Sequence, residues 1–480
     1  MFLFLHNYIR WPVFLSIPFQ TAGNMVYCVV VYIRPEWKGR RFMAYTVGAV
    51  SLGCNKNRVD TETALGLLKE KGYRLTGSPA EADILLVNTC GFIDPAKEES
   101  INTILEMAEY KKTGRCKVLV VTGCLSQRYS GDLMKELPEI DVLLGVNQYD
   151  QLPAAIEKAM ERERPCLCAD DHRYYEHDRV LTTPPYSAYI RIGEGCSNCC
   201  TFCAIPMIRG PYRSRNEEAI LREIASLAAK GVREHILVAQ DTTRYGTEDH
   251  PHTTLPDLMR KAASISGVDW LRVLYCYPDE TNDALLDVLA DADNVCPYLD
   301  IPIQHINAEL LRRMHRRGTR EDILRCVRGA RARGLTLRTS LIVGFPGETE
   351  DQFKELLDFV EETEFDRLGA FIYSPEEGTP AAKLPDQIPE EIKQERLDRL
   401  MTLQQGISLK RGRARVGDTE QVLVTDTDGK GNVLGRSCRE APETDGEIYI
   451  TCGNARPEPG QFIPVRIDSA DEYDLRGTML

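Results

Sequence analysis

The 480-residue sequence has no apolar run long enough to cross a membrane. Its longest near the N-terminus, Met25 to Ile33, is half of the roughly 18 residues a spanning helix needs, and no later stretch is longer. A net positive charge is also missing: 59 Lys+Arg stand against 72 Asp+Glu, a formal charge of −13. That sign is wrong for a general nucleic-acid binder and suits a basic partner. A convincing export signal is lacking too. Residues 1–42 mix aromatics with Arg10, Arg34, Lys38, Arg40 and Arg41, but Pro12 and Pro18 break the apolar part and no small-residue cleavage site follows. Sixteen cysteines in a large acidic chain of this kind point to a reducing, cytoplasmic setting in which thiols are available for metals. With 43% hydrophobic and 8% aromatic residues, neither disorder nor a disulfide-stapled miniprotein fits, and the length allows about three domains.

The expected organisation is α/β throughout most of the chain. Residues 1–42 read as a non-native or disordered extension ahead of a natural start at Met43, adding nothing to the core. Residues 43–162 alternate strand and helix with short connections, which predicts a parallel sheet covered by helices. Three of its strand patterns end on cysteine: Thr46 to Gly53 at Cys54, Ala82 to Thr89 at Cys90, and Lys117 to Gly123 at Cys124. Carboxyl ends of parallel strands share one edge, so cysteines 36 and 34 residues apart in sequence can converge. Three thiolates suit an iron-sulfur cluster with one open iron. Zinc normally wants a fourth protein ligand, and no histidine follows nearby. The plain alternative is three buried thiols acting as small hydrophobes. In the linker 163–184, Cys166-x-Cys168 lies near His172 and His177 and could bind metal adventitiously.

Residues 185–412 carry the densest signal. After the strand Ser187 to Ile192 comes Gly193-Glu-Gly-Cys196-Ser-Asn-Cys199-Cys200-Thr-Phe202-Cys203, which packs its sulfurs too closely for the usual paired zinc half-sites. Cys196, Cys200 and Cys203, with an aromatic before the last, match the CxxxCxxC signature of radical S-adenosylmethionine enzymes; Cys199 is left as a neighbour. Five further strand patterns, Ile236 to Ala239, Leu271 to Tyr275, Tyr298 to Pro302, Leu335 to Val343 and Gly369 to Tyr373, predict a partial, TIM-like α/β barrel with functional groups at the C-terminal strand ends. Gln240, Asp241, Gln304, Ser340 and Gly344 are the candidates to receive the amine, carboxylate, ribose or adenine of S-adenosylmethionine. Against this, Gly344 to Gly347 reads equally as a turn, His305 as a satisfied buried histidine and Arg313 as a surface charge.

From Met43 to the C-terminus the chain resembles the methylthiotransferases, radical S-adenosylmethionine enzymes that carry two iron-sulfur clusters. One branch modifies tRNA adenosine and another an aspartate of small-subunit ribosomal protein S-twelve (uS12). Ser51-Leu-Gly-Cys-Asn-Lys-Asn-Arg-Val-Asp60, Val87-Asn-Thr-Cys-Gly-Phe-Ile-Asp94, Gln240-Asp-Thr and Asp300-Ile-Pro-Ile-Gln-His305 resemble the second branch, with Ile303 in place of the usual Leu. The resemblance implies that Cys196, Cys200 and Cys203 bind the radical-generating [4Fe-4S] cluster and Cys54, Cys90 and Cys124 an auxiliary one. It also implies S-adenosylmethionine as methyl donor and radical source, an electron donor such as flavodoxin or ferredoxin, the ribosomal protein free or in the ribosome as partner, and no tRNA or membrane partner.

The tail, 413–480, follows a charged helix expected from Glu390 to about Arg413 and resembles a TRAM domain, a small OB-like β-barrel. From Val416 on it holds 6 Lys+Arg and 13 Asp+Glu, a charge that repels phosphates and suits a basic protein. The competing readings are a tRNA methylthiotransferase and an iron-sulfur redox module without turnover.

Overall fold

The computed structural model describes the backbone of residues 17–21 and 24–28, and residues 45–169, 176–247, 253–427 and 432–480. The strands Ile17–Thr21 and Asn24–Cys28 pair as an antiparallel hairpin, with Cys28 opposite Val50. The rest of 1–42, with the expectation placed on it, and His172 lie outside the described residues. The chain divides into two compact units, Met1–Pro184 and Pro185–Leu480.

In the first unit the strands Thr46–Ser51, Ile84–Thr89, Val118–Gly123, Val142–Leu144 and Cys166–Leu167 run parallel in that order. Ile84–Thr89 and Val118–Gly123 are buried along their whole length, as expected of strands covered on both faces. Leu86 and Val120 pack with Leu65, Leu68 and Ile156 on one side. Leu85, Val87, Leu119 and Val121 pack with Ile104 and Met107 of the helix Asp94–Thr113 on the other. The register pairs Ser51 with Asn88 and Thr89 with Gly123, so the three strands stop level with one another.

The second unit holds two three-stranded parallel sheets: Ser187–Arg191, Glu234–Val238 and Trp270–Val273, then Tyr298–Asp300, Thr336–Val343 and Arg367–Ile372. The Cys276 N–H donates to the Asp300 carbonyl at 2.9 Å and joins them into a six-stranded open barrel. The intervening helices start where the local chemistry favours it: Thr254, Thr319 and Thr349 form capping boxes with Asp257, Asp322 and Gln352. Each strand lies within about two residues of its expected bounds, and the long helix spans Glu390–Arg413.

That helix leads into a closed five-stranded barrel, which leaves no free sheet edge. Two of its strands, Asn432–Ser437 and Leu475–Met479, carry Gly435 and Gly477, which interrupt any apolar alternation. The small barrel seats on the N-terminal ends of the larger barrel's strands. Glu234, at the start of its strand and fully buried, binds Arg436 and, at 3.2 Å, Arg272. Tyr298 donates to Asp445 at 2.7 Å, and Trp270 meets Phe462 edge-on at 4.7 Å. Glu440 and Asp445 face Arg367 and Arg338 of the larger barrel, and Glu420 faces Arg415 at the tail's own start. Part of the tail's acidity is therefore complementary to its own scaffold.

Candidate metal centres

In the first unit, Cys54 precedes the helix Asn55–Glu70, Cys90 follows its strand directly, and Cys124 opens the short helix Cys124–Arg128. Close backbone approach brings the three loops together. A Cβ on Gly53, which has φ +82°, would lie 2.8 Å from Cys90 Cβ and 3.1 Å from its sulfur. A Cβ on Gly91 would lie 2.8 Å from the Leu125 backbone and 3.0 Å from the Cys124 carbonyl carbon. Only glycine permits either contact without a shift. The fully buried Asn57 ties the set: its Nδ2 donates to the Leu52 carbonyl at 3.0 Å and the Thr89 carbonyl at 2.9 Å, and its Oδ1 accepts from the Cys124 thiol at 3.5 Å. Ser100 both donates to the Cys90 carbonyl and accepts from the Cys90 N–H.

In the second unit the cysteine loop leaves the first barrel strand above a buried charge cluster. Glu194 binds Arg191 at 2.9 Å and Arg209 at 3.0 Å and accepts the Gly195 N–H. Burial alone would raise the Glu194 carboxyl, but Arg209 and Arg191 outweigh it and hold it at about 2. Asn198 donates to Asp241 at 2.8 Å. The Arg316 guanidinium lies 3.5 Å from the Cys200 sulfur, donates to the Tyr277 hydroxyl at 2.8 Å, and stacks 4.3 Å from that ring's centre. Burial pushes the Cys196 thiol up to about 11. Burial and then the neighbouring Cys200 push Cys203 up to about 12. Such thiols keep their protons until a metal displaces them.

None of the six cysteines is in a disulfide. Among the described residues no three Cys, His, Asp or Glu groups close around a single metal ion. A cubane asks for something different, since each thiolate takes its own iron. Thiols from three abutting loops, and from one tight loop beside a guanidinium, fit that donor chemistry.

Of the residues expected to meet the nucleotide, Gln240, Asp241, Gln304 and Gly344 follow strands, and Ser340 lies within Thr336–Val343. Gln240 follows the strand Glu234–Val238 and is half-buried. Gln304, at φ +71°, donates its N–H to the Ser340 carbonyl at 2.9 Å, so these two are neighbours. Asp241 is buried with its oxygens already taken by Asn198, Thr243 and Arg317, so it anchors the cysteine loop. Gly344 makes room for Lys393, whose Cγ would lie 2.4 Å from an added Cβ. His305 is fully buried and accepts the Asn307 N–H at Nδ1, but its Nε2 lies 3.6 Å from Glu348 without a hydrogen bond among the described residues, so the satisfied-histidine reading holds for one ring nitrogen only. Arg313 packs against Gly347, which is more than a surface charge. Sequence reasoning missed Asn57, Glu194, Asn198, Tyr277, Arg209 and Arg316. Asn57, Glu194 and Asn198 lie within the cysteine motifs, and the others carry no local signal.

Comparisons with known proteins agree with this geometry. A model of the Radical SAM superfamily matches residues 190–360, one of the Uncharacterized protein family UPF0004 matches 46–145, and one of the TRAM domain matches 416–480. The radical S-adenosylmethionine methyltransferase TsrM from Kitasatospora setae, solved with cobalamin and a [4Fe-4S] cluster, shares the fold at TM-score 0.53 and 18% identity, over 71% of this chain and 77% of that one. The barrel and its cysteine loop thus define a radical S-adenosylmethionine enzyme.

Ribosomal protein uS12 methylthiotransferase RimO of Clostridium botulinum is 49% identical over 437 residues, 90% of this chain and 98% of its own length. The protein of that name from Desulforamulus reducens is 49% identical over 442 residues, 90% of this chain and 99% of its own. The chain belongs to the RimO family of methylthiotransferases.

Proposed function

We propose that the protein inserts a methylthio group at the β-carbon of an aspartate in ribosomal protein uS12. The observation that carries this is the 49% identity to RimO proteins along 90% of the chain, which takes in both groups of cysteines. When bound, S-adenosylmethionine and the two [4Fe-4S] clusters supply a methyl group, a carbon radical strong enough to abstract hydrogen from an unactivated C–H bond, and a place for the transferred sulfur. In this reading Cys196, Cys200 and Cys203 hold the radical-generating cluster, and Cys54, Cys90 and Cys124 the auxiliary one. Arg316 sets a positive charge against the Cys200 sulfur. Asp241 fixes the cysteine loop through Asn198. Gln240, Gln304 and Ser340 contact S-adenosylmethionine in this reading, and the buried Glu194 cluster supports the base of the cysteine loop. Flavodoxin or ferredoxin supplies the electron in the cytoplasm.

Mass analysis of tryptic uS12 peptides and of tRNA nucleosides from a deletion strain tests the reading. Loss of the methylthio group from uS12 alone supports it. Loss from a tRNA nucleoside would transfer the chain to the tRNA-modifying branch. Failure of reduced, reconstituted protein to cleave S-adenosylmethionine would leave only a redox or binding module.

A further inference from the structure

The sulfur that becomes part of the product has to reach the first unit, and one dithiol there is used by nothing described so far. Cys166 opens the short strand Cys166–Leu167 at the end of the sheet and Cys168 directly follows it; among the described residues that strand pairs only with Val142–Leu144. Residues two apart on an extended strand face the same way. Cys166 is exposed and Cys168 half-buried. Burial, and then the adjoining Cys166 thiol, push the Cys168 thiol up to about 12, so Cys168 gives up its proton only as it attacks, to the sulfur that leaves. The Cys168 thiol donates to the Ser126 carbonyl at 3.6 Å, on the helix that Cys124 opens, and packs in the core that holds Leu125. The pair therefore has one thiol open to solvent and the other reaching the backbone two residues from a candidate ligand.

We propose that Cys166 and Cys168 form a sulfur relay, which takes a sulfane sulfur from a persulfide donor and releases it as hydrogen sulfide beside the Cys124 helix. The inference rests on the reading of this unit as the consumer of that sulfur. Cys166 attacks the outer sulfur of the donor persulfide. A new S–S bond forms on Cys166, the donor's own S–S bond breaks, and the donor leaves as a thiol carrying the Cys166 proton. Cys168 then attacks the Cys166 sulfur. The Cys166–Cys168 disulfide forms, the bond to the outer sulfur breaks, and that sulfur leaves with the electron pair and the Cys168 proton as hydrogen sulfide. A dithiol reductant returns two electrons and two protons to the pair and is itself oxidised to a disulfide.

The test uses the reconstituted full chain without oxygen and cysteine persulfide as the probe, with alkylation, peptide mass analysis and measurement of released sulfide. In the parent, the peptide holding both cysteines gains an internal disulfide as sulfide appears. Cys168→Ser accumulates one extra sulfur on Cys166 and releases sulfide at least about tenfold more slowly, and Cys166→Ser does neither. Sulfide release by Cys166→Ser at the parent's rate, or labelling confined to other cysteines, overturns the proposal. With persulfide as sole sulfur source, Cys166→Ser should lose methylthio transfer and regain it on addition of sodium sulfide, with iron content and S-adenosylmethionine cleavage at parent levels. Equal transfer from both sulfur sources also overturns the relay. A parent that releases sulfide in this pattern yet cleaves no S-adenosylmethionine would refute the methylthiotransferase reading and leave the relay standing.

Discussion

The two groups of three cysteines reach similar donor chemistry by opposite routes. Cys196, Cys200 and Cys203 share one loop, and their order in the chain already holds them close. What the structure adds is electrostatic: the Glu194, Arg191 and Arg209 cluster beneath and the Arg316 guanidinium beside Cys200. Cys54, Cys90 and Cys124 come from three strand ends, and their surroundings are amides and backbone: Asn57, Ser100 and the close approaches at Gly53 and Gly91. A local site is tuned by charge, whereas an assembled site depends on packing. Damage to the first should follow pH, and damage to the second should follow volume.

The largest effects test whether the two centres are independent. Cys200→Ala should abolish S-adenosylmethionine cleavage. The combined Cys54→Ala, Cys90→Ala, Cys124→Ala variant should keep cleavage, lose methylthio transfer, and fall from about eight irons to about four, since each cubane holds four. Loss of cleavage in the triple variant would show that the centres are not separable.

Next comes charge. Glu194→Gln leaves Arg191 and Arg209 buried and uncompensated, which should cost about 3–5 kcal/mol in denaturant unfolding. The Glu194 carboxyl is held at about 2 against an unfolded value of about 4.3, so its contribution is complete above about 4.3 and drains away as pH falls toward 2. Glu194→Gln should lack that acid-dependent loss, and an unchanged acid profile would refute the assignment.

Volume follows. Gly91→Ala drives a methyl into the Leu125 backbone and should cost about 1–3 kcal/mol. Asn57→Ala, which removes the side chain binding the Leu52 and Thr89 carbonyls, should cost a similar 1–3 kcal/mol. Both should lower iron toward four without affecting cleavage, as metal analysis would record; an equal loss of cleavage would blur the contrast between the sites. The smallest effect belongs to Cys199→Ser. Cys199 is exposed at φ +45° and outside the CxxxCxxC spacing, so iron content and cleavage should not change. Any loss of iron would redraw the barrel triad.

Much of the fold was legible because its signals are local. Apolar runs bounded by Gly and Asn placed the parallel strands, and the charged amphipathic run placed Glu390–Arg413. The tail was harder. Asn432–Ser437 and Leu475–Met479 become strands because closing the barrel pairs them with Ile448–Thr451, not because their own residues demand it. The tail's acidity pointed outward, to a partner. Three of those acids, Glu420, Glu440 and Asp445, meet arginines of the same unit, and a charge count does not record which residues face one another. That Asp241 binds Asn198, Thr243 and Arg317, partners up to 76 residues away, carried no signal in the sequence.

The sequence by itself determined the chemistry on offer: a CxxxCxxC loop whose spacing is a property of the chain, three cysteines ending strand patterns, and a length of strand and helix repeats sufficient for a barrel. Tertiary structure alone decided that Ser51 stands beside Asn88 and Thr89 beside Gly123, which brings the three loops level. It alone decided that Glu234 meets Arg436, 202 residues away, to seat the small barrel. Ligand spacing within a loop is set by covalent geometry. Strand register and buried ion pairing are set by which distant surfaces exclude water together, and that is known only once the chain has folded.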